Sequence, residues 1–195
     1  MKIIGLTGGI GMGKSTAAAA FRRARIPVFD ADAAVHALQS PGGRAIAPIA
    51  AAFPGTVQRR TLDRAALRDA VLGKPDRLRV LERIIHPLVR QMERAAIARA
   101  RRGRTPAIVL DIPLLLETGG ERRVDLVVVV SAPRAVQIAR VRRRGRMDEA
   151  QIRAVIARQM PDRQKRRRAD VVVNTGLSRH HALRTVARII RDLRA

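Results

Sequence analysis

A glycine-rich segment near the start of the chain has the residue types and the spacing that bind phosphate. Residues 8–15 read Gly-Gly-Ile-Gly-Met-Gly-Lys-Ser, which fits the pattern G-x-x-x-x-G-K-[ST] of a phosphate-binding loop. The glycines let the backbone curl, so that successive N–H groups point at one anion. Lys14 can reach the terminal phosphates of ATP and act in catalysis, and the Ser15 hydroxyl can ligate Mg²⁺. The residues predicted to bind ATP in this segment are Gly9, Gly11, Met12, Gly13, Lys14, Ser15 and Thr16.

Acidic residues follow two of the apolar runs that are typical of strands. Asp30 and Asp32 come after the run that ends at Phe29, and Asp111 follows the run Ala107–Leu110. Ligands of an open parallel sheet bind beyond the carboxyl ends of its strands, so these acids should face the cleft that contains the phosphate-binding loop. One acid of the first pair could accept the proton of a substrate hydroxyl, and the other could cap the following helix. We assign the catalytic role to Asp32 and the cap to Asp30.

The third acid, Asp111, has the position of the Walker B residue that supports Mg²⁺. Acids at strand ends are common, so this assignment depends on the phosphate-binding loop that precedes it in the chain. Ser15 and Asp111 are therefore the predicted Mg²⁺ ligands. Glu117 lies a few residues further on and could equally be a solvated loop acid.

Arginines crowd the segment that begins at Arg140. Phosphoryl transfer spreads negative charge over the transferred group, and arginines that close over it stabilise that charge. Arg140 and Arg144 share one face at helical spacing, so we expect both at the triphosphate and Arg140 in catalysis. Arg142 and Arg143 should point elsewhere, and the remaining arginines, including Arg146, are read as a solvated face.

The order of the predicted elements favours an α/β fold, a parallel sheet flanked by helices around a phosphate-binding-loop core. Several apolar runs are continuous rather than alternating, as expected for strands that are covered on both faces. The predicted strands are Lys2–Thr7, Ile26–Phe29, Ala107–Leu110, Leu126–Val130 and Val171–Val173. The predicted helices are Lys14–Ala24, Ala31–Leu38, Asp63–Leu72, Asp76–Arg102, Arg134–Arg143, Asp148–Met160 and Ser178–Leu193.

Two excursions interrupt this alternation and divide the chain into three predicted parts. The core comprises residues 1–30, 104–135 and 169–195. About residues 31–103 form a nearly pure helical insertion that we expect to bind substrate, because one crossover needs far fewer residues. Pro87 should kink or divide its longest helix. About residues 136–168 form a helical, arginine-rich lid, which we call the lid segment.

Composition limits the function classes. The formal net charge is +24, with four lysines and 36 arginines among the 40 basic residues, a bias that indicates genome composition rather than a nucleic-acid adaptation. Three Phe without Tyr or Trp leave little on which unpaired bases could stack, so no nucleic-acid partner is expected. The absence of cysteine excludes disulfides, thiolate metal sites and a cysteine nucleophile. No apolar run could span a membrane and no export signal is recognisable, so we expect a cytoplasmic monomer or small homo-oligomer.

Taken together and in this order, the motifs resemble the dephospho-coenzyme A kinase family. The phosphate-binding loop alone would be generic, but the Asp-Ala-Asp run, the His-Pro pair and the Asp-Ile-Pro-Leu-Leu run are specific. Met12 stands where the family usually has a small residue, which should matter little because that position contributes mainly backbone. Leu116 replaces a common Phe and removes an aromatic contact. The matching segments are Gly5–Ser15, Asp30–Asp32, Leu62–Arg64 with Leu67, Ile85–Leu88, Asp111–Glu117, Gln137–Arg144, and Ala169–Asn174 with Gly176.

The resemblance implies transfer of the ATP γ-phosphate to the ribose 3′-hydroxyl of dephospho-CoA. Carried over residue by residue, it makes Asp32 the base at that hydroxyl and places Arg64 and His86 near dephospho-CoA. It places Arg140 and Arg144 near the triphosphate. Without the resemblance, Arg64 and His86 would be read as structural residues of the helical insertion. The alternatives are another nucleoside or nucleotide kinase and, from charge alone, a nucleic-acid-associated NTPase.

Overall fold

The structure is a computed structural model that describes residues 1–145 and 147–194 of the 195-residue chain. Arg146, predicted to be part of a solvated face, lies outside the described residues. The strands are β1 Lys2–Thr7, β2 Val28–Asp30, β3 Val57–Gln58, β4 Thr61–Leu62, β5 Ala107–Asp111, β6 Leu126–Ser131 and β7 Val171–Asn174. The helices are α1 Lys14–Arg23, α2 Ala31–Leu38, α3 Ile46–Ala52, α4 Arg64–Val71, α5 Pro75–Arg102, α6 Arg134–Arg142, α7 Glu149–Ala157, α8 Asp162–Arg167 and α9 Arg179–Asp192.

The chain forms two compact units, Met1–Phe29 with Ala100–Ala195, and Asp30–Arg99. The second unit has nearly the extent of the predicted substrate-binding insertion. The lid segment belongs to the first unit. The functional roles of the insertion and the lid segment stay predictions.

The first unit is built on a five-stranded sheet of order β2-β5-β1-β6-β7, and the α/β prediction is confirmed. β1 runs parallel to both β5 and β6, and β6 runs parallel to β7. Buried Val, Ile and Leu side chains fill β1, β5 and β6, as parallel strands covered on both faces require. Because these strands are parallel, the residues that follow Thr7, Asp111 and Ser131 emerge at the same edge of the sheet.

Two helices that flank this sheet contribute small and apolar side chains to its main core. Ala17, Ala18 and Phe21 of α1 join Val186 and Ile189 of α9 in a cluster with the apolar residues of β1 and β6. The Met12 side chain belongs to the same cluster and is almost fully buried. The expectation that this position contributes mainly backbone is therefore wrong, because the thioether fills space beneath the loop.

The loop after β5 supplies a smaller cluster. Leu115 and Leu116 pack with Val127 and Val129 and are almost fully buried. Leu116 thus has a packing role, and its burial keeps it from stacking on a ligand.

The second unit has its own core, to which α2, α3, α4 and α5 contribute Leu38, Ile49, Leu67 and Ile85. The unit is nearly all helical, as the sequence predicts, but β3 and β4 add a short antiparallel hairpin that the sequence does not predict. Arg59 and Arg60 make its turn, both with positive φ. Asn-Gly or similar pairs usually mark such turns, so the sequence carries no signal for this one.

Helix α5 runs unbroken through Pro87, so the proline does not divide it. The other half of the expectation, a kink at this position, stays a prediction. Proline inside a helix removes one hydrogen bond and clashes with the preceding turn, at a cost of about 3 kcal/mol. Here Ile84, Ile85, Leu88 and Val89, next to the proline, pack in the core of the unit. This tertiary packing offsets the local cost.

Helix caps are well defined at two places that matter for the site. The Asp30 carboxylate accepts from the Ala33 N–H at 2.9 Å, which confirms its predicted capping role at α2. The Asp63 carboxylate accepts from the N–H groups of Ala65 and Ala66 at the start of α4. Each cap fixes the start of its helix and so the position of a predicted site residue, Asp32 in α2 and Arg64 in α4.

The lid segment contains three helices rather than the two predicted. Helix α7 starts with a reciprocal capping box between Asp148 and Gln151, and hydrogen bonds and charge from Arg153 lower the pKa of the Glu149 carboxyl. A further helix, α8, starts immediately after Pro161, a residue suited to a helix N-terminus. Within the described part of the chain, no helix combines the length and apolarity needed to cross a membrane.

Candidate active site

The phosphate-binding loop connects β1 to α1 and is curled as its glycines predict. Gly11 and Gly13 have φ angles of 74° and 94°, in the left-handed region that favours glycine. A Cβ atom at Gly8 would lie 2.7 Å from the Val130 carbonyl oxygen, so the loop lies directly against β6. Helix α1 begins at Lys14 and presents its positive N-terminal end at the loop.

Lys14 and Asp111, both predicted from the sequence, form an ion pair. The Lys14 Nζ lies 2.5 Å from Asp111 Oδ1, and the aspartate side chain is only 5% exposed. The sheet explains the contact, because Asp111 is in register with Leu6 on the neighbouring strand, just before the loop. A cation and a carboxylate thus meet where the phosphate-binding loop begins to curl.

Next to the loop lies a cavity of about 360 Å³, which we call the arginine cavity. Its lining contains several of the residues predicted for ATP. These are Gly11, Gly13, Ser15, Thr16, Arg140 and Arg144, joined by Arg143, Thr175, Arg179 and Ala182.

The arginines are sorted partly as predicted. Arg140 and Arg144 share the cavity, and Arg142 does not line it. Arg143, expected to point elsewhere, lines the cavity too. The helical-spacing argument fails there because α6 ends at Arg142 and the chain turns. Sequence spacing also gave no reason to include Arg179, which the fold brings in from the start of α9.

Arg140 is held in place by the segment after β7. Its guanidinium donates to the Thr175 hydroxyl at 2.9 Å and to the Thr175 carbonyl oxygen at 2.8 Å. Two donors of a single planar group are therefore fixed by one residue. The direction of the guanidinium at the arginine cavity is set by this contact.

Two glutamines of the lid segment hold the peptide groups of Ile10 in the loop. The Gln137 side-chain amide donates to the Ile10 carbonyl oxygen at 2.8 Å, and the Ile10 N–H donates to Gln159 Oε1 at 3.1 Å. A Cβ atom at Gly9 would lie 3.0 Å from that same oxygen. One at Gly11 would lie 2.8 Å from the Gln137 carbonyl oxygen. Gln137 lies in α6 and Gln159 lies just after α7, and no motif assigns a role to either, so the sequence carries no signal for these contacts.

Glu117 is not a solvated loop acid. It pairs with Lys165 of α8 at 2.7 Å, and the lysine side chain is only 2% exposed. The same carboxylate accepts from the Met160 N–H, and Lys165 also donates to the Pro113 carbonyl oxygen, which Thr7 contacts at 2.8 Å. Helix α8 is thereby fastened to the loop that follows Asp111.

The remaining predicted site residues belong to the second unit. Asp32 lies in the first turn of α2 and is exposed, while Asp30 makes the cap. Arg64 is exposed at the first position of α4. His86 is exposed on α5, where it lines a groove of about 830 Å³. The other lining residues of this groove are Asp76, Arg79, Val80, Glu82, Arg83, Pro87 and Arg90.

A family model described as CoaE, dephospho-CoA kinase, matches residues 2–179. The chain belongs to the dephospho-CoA kinase family. It is therefore a kinase, one of the transferases, and uses ATP. The match confirms the resemblance inferred from the motifs.

Several relatives of this chain are dephospho-CoA kinases, and they match it over most of its length. The dephospho-CoA kinase of Gluconobacter oxydans is 53% identical, over 100% of this chain and 98% of its own length. That of Paramagnetospirillum magneticum is 59% identical, over 85% of this chain and 78% of its own length. A crystal structure from Thermus thermophilus matches with a TM-score of 0.86 at 34% identity, over 98% of this chain and 96% of the other. The dephospho-CoA kinase of Campylobacter jejuni shares the fold, with a TM-score of 0.73 at 20% identity, over the same shares.

The first prediction concerns the charge at the loop. Lys14→Ala should lower turnover by at least about 100-fold, the size expected when one donor to the transition state is lost. Turnover of ATP is the measurement, and circular dichroism checks the fold because the ion pair between Lys14 and Asp111 is lost. Lys74→Ala, a lysine of the second unit, is the matched control and should change little. Near-normal turnover of a folded Lys14→Ala protein would contradict the assignment of residues 8–15 as the phosphate-binding loop.

A second prediction separates the arginines of α6. Arg140→Ala should lower turnover by about 10- to 100-fold, because a hydrogen-bonding charged group at the cavity is lost. Arg142→Ala, which removes an exposed arginine outside the cavity, should stay within about threefold, as surface substitutions usually do. Steady-state kinetics at several salt concentrations is the measurement. If both substitutions lowered turnover equally and salt reduced both effects, the arginines would act only through their general positive field.

Proposed function

We propose that this kinase transfers the γ-phosphate of ATP to the ribose 3′-hydroxyl of dephospho-CoA, giving CoA and ADP. The observation that carries the proposal is the Lys14–Asp111 pair at a curled phosphate-binding loop, in a chain whose family match covers residues 2–179. The loop and Lys14 hold the phosphates of ATP. The arginines of the cavity neutralise the charge that spreads over the transferred group.

The donors at the loop suit Mg²⁺. This ion takes oxygen ligands and usually binds through one or two protein groups together with phosphates and water. Ser15 offers an exposed hydroxyl at the cavity, and Asp111 a carboxylate at the end of β5. These two residues would hold the ion, which would supply positive charge at the phosphates when bound.

At the acceptor, Asp32 is the proposed general base. Its carboxylate would take the proton of the 3′-hydroxyl as that oxygen forms a bond to the γ-phosphorus, while the bond to the ADP oxygen breaks. Exposure of Asp32 and the use of Asp30 as the cap support this division of roles. Asp32 needs no capping function of its own.

Arg64 and His86 are the proposed contacts to dephospho-CoA. The substrate carries a diphosphate, and the groove around His86 contains Arg79, Arg83 and Arg90. The groove also contains Asp76 and Glu82, and Arg79 pairs with Asp76 at 2.9 Å. The cationic stripe along α5 therefore consists mainly of Arg83 and Arg90. A stripe of this kind suits an elongated anionic substrate.

Nucleic acid is not part of the proposal, because all three Phe residues are buried and no Tyr or Trp is present to stack on bases. The proposal does not include membrane binding. A cytoplasmic location and a monomer or small homo-oligomer stay predictions from the sequence.

The acceptor itself is tested by comparing phosphate transfer from ATP to dephospho-CoA, adenosine, AMP and no acceptor. We expect transfer to dephospho-CoA alone and no stimulation of ATP turnover by DNA or RNA. Preferred transfer to adenosine or AMP would instead identify a nucleoside or nucleotide kinase. Stimulation by nucleic acid without transfer would contradict the kinase proposal.

Asp32→Asn tests the base. Asn cannot take the proton, so the single-turnover rate with saturating ATP and dephospho-CoA should fall about 10²- to 10⁴-fold. The melting temperature and ATP binding should stay close to wild type. Asp30→Asn is the matched control and should be mild, because Asn caps a helix about as well as Asp. A rate for Asp32→Asn within about threefold of wild type would exclude a general base, whose loss costs more than that.

A further inference from the structure

Thr175, the residue directly after β7, has contacts with both the loop and the arginine that the proposed function uses. We infer that Thr175 is a positioning residue for the nucleotide, holding the Met12–Gly13 peptide and the Arg140 guanidinium in one hydrogen-bonded unit. The inference rests on the proposed function insofar as ATP is the nucleotide held. It assigns a role to a residue that the sequence motifs passed over.

The Thr175 side chain is buried and its hydroxyl is used in both directions. It donates to the Met12 carbonyl oxygen at 2.6 Å and accepts from Arg140 Nη1 at 2.9 Å. A hydroxyl has one proton to donate, and of the two carbonyl oxygens in reach the Met12 oxygen at 2.6 Å is much nearer than the Ser131 oxygen at 3.3 Å. The proton therefore goes mainly to the loop, and the acceptor side takes the arginine. The backbone is fixed as well, since the Thr175 N–H donates to the Ser131 carbonyl oxygen at 2.8 Å.

The contact to Met12 orients the loop. In a trans peptide, the C=O bond and the N–H bond of the next residue lie in one plane and point in opposite directions. Holding the Met12 oxygen toward Thr175 therefore turns the Gly13 N–H to the opposite side. The φ of 94° at Gly13 lies in the left-handed region, which glycine adopts without steric cost, so this peptide can take the orientation that the Thr175 contact sets.

The contact to Arg140 orients a charge. Two of the five N–H donors of the guanidinium bind Thr175, one to the hydroxyl and one to the carbonyl oxygen. Three donors remain to meet phosphate oxygens at the arginine cavity. A guanidinium fixed in advance needs no reorganisation when negative charge develops, which is the source of its effect.

The experiment compares Thr175→Val, which keeps the shape and removes the hydroxyl, with Thr175→Ser, which keeps the hydroxyl. ADP binding by calorimetry and the KM and kcat for ATP are measured, with circular dichroism as the fold check. Losing a hydrogen bond to a charged group predicts that Thr175→Val raises the Kd for ADP by about 10- to 100-fold. Thr175→Ser should stay within about threefold of wild type, and so should the control Thr185→Val, whose hydroxyl donates to the His181 carbonyl oxygen of the same helix, α9.

A double-mutant cycle with Arg140→Ala shows whether Thr175 acts through the arginine. Groups that act as a unit are not additive, so Thr175→Val should weaken ADP binding much less in the Arg140→Ala background. Wild-type ADP affinity in Thr175→Val, or full additivity with Arg140→Ala, would overturn the inference. Should Thr175→Val fail to fold, loss of ADP binding by a folded Thr175→Ser would overturn it equally.

These outcomes are distinct from failure of the proposed function. ADP binding requires no acceptor, so it is measured whether or not dephospho-CoA is phosphorylated. A wild-type chain that binds ADP but leaves dephospho-CoA unmodified would contradict the proposed function alone. A wild-type chain that phosphorylates dephospho-CoA, beside a Thr175→Val protein with normal ADP affinity, would contradict only the role of Thr175.

Discussion

The phosphate-binding loop must point backbone N–H groups at one anion, and this constraint decides how the rest of the first unit is arranged around it. Polar groups of a buried loop that do not face the anion need partners from elsewhere in the protein. The Thr175 hydroxyl donates to the Met12 carbonyl oxygen. The Gln137 side chain donates to the Ile10 carbonyl oxygen, and the Gln159 side chain accepts from the Ile10 N–H. These partners come from distant parts of the chain. The site is therefore a property of the whole first unit and not of residues 8–15 alone.

The sheet order makes this convergence possible. β1 lies between β5 and β6, so the loop has the Asp111 strand end on one side and the Ser131 strand end on the other. The Ser131 hydroxyl binds the Asp162 carboxylate of α8 at 2.7 Å, which ties the lid segment to the second of these strand ends. Together with the Lys165–Glu117 pair, this fastens α8 to both neighbours of β1. The α8 part of the lid segment is thus anchored beside the two strand ends that flank the loop.

The sequence predicted what depends on short-range pattern. The loop, the five strands of the main sheet and the Asp30 cap follow from local residue types, and each occurs within two residues of its predicted place. The errors come from tertiary effects that spacing cannot express. Core packing carries α5 through Pro87, and the end of α6 at Arg142 brings Arg143 to the cavity. No sequence motif indicates Thr175, because its proposed role depends on three segments that come together only in the folded chain: the loop, α6 and the end of β7.

Met12 places a sulfur atom within the phosphate-binding loop. The chain has no cysteine, and the Met12 thioether lies beneath the loop, where it accepts from the Ala132 N–H at 3.1 Å. Oxidation to the sulfoxide would add an oxygen atom and make this side chain polar. The Met12 side chain is 4% exposed within the cluster beneath the loop, and it also lines a cavity of about 470 Å³. A sulfoxide at this position would put a polar oxygen atom into an apolar cluster, so oxidation of Met12 would disturb the packing that supports the phosphate-binding loop.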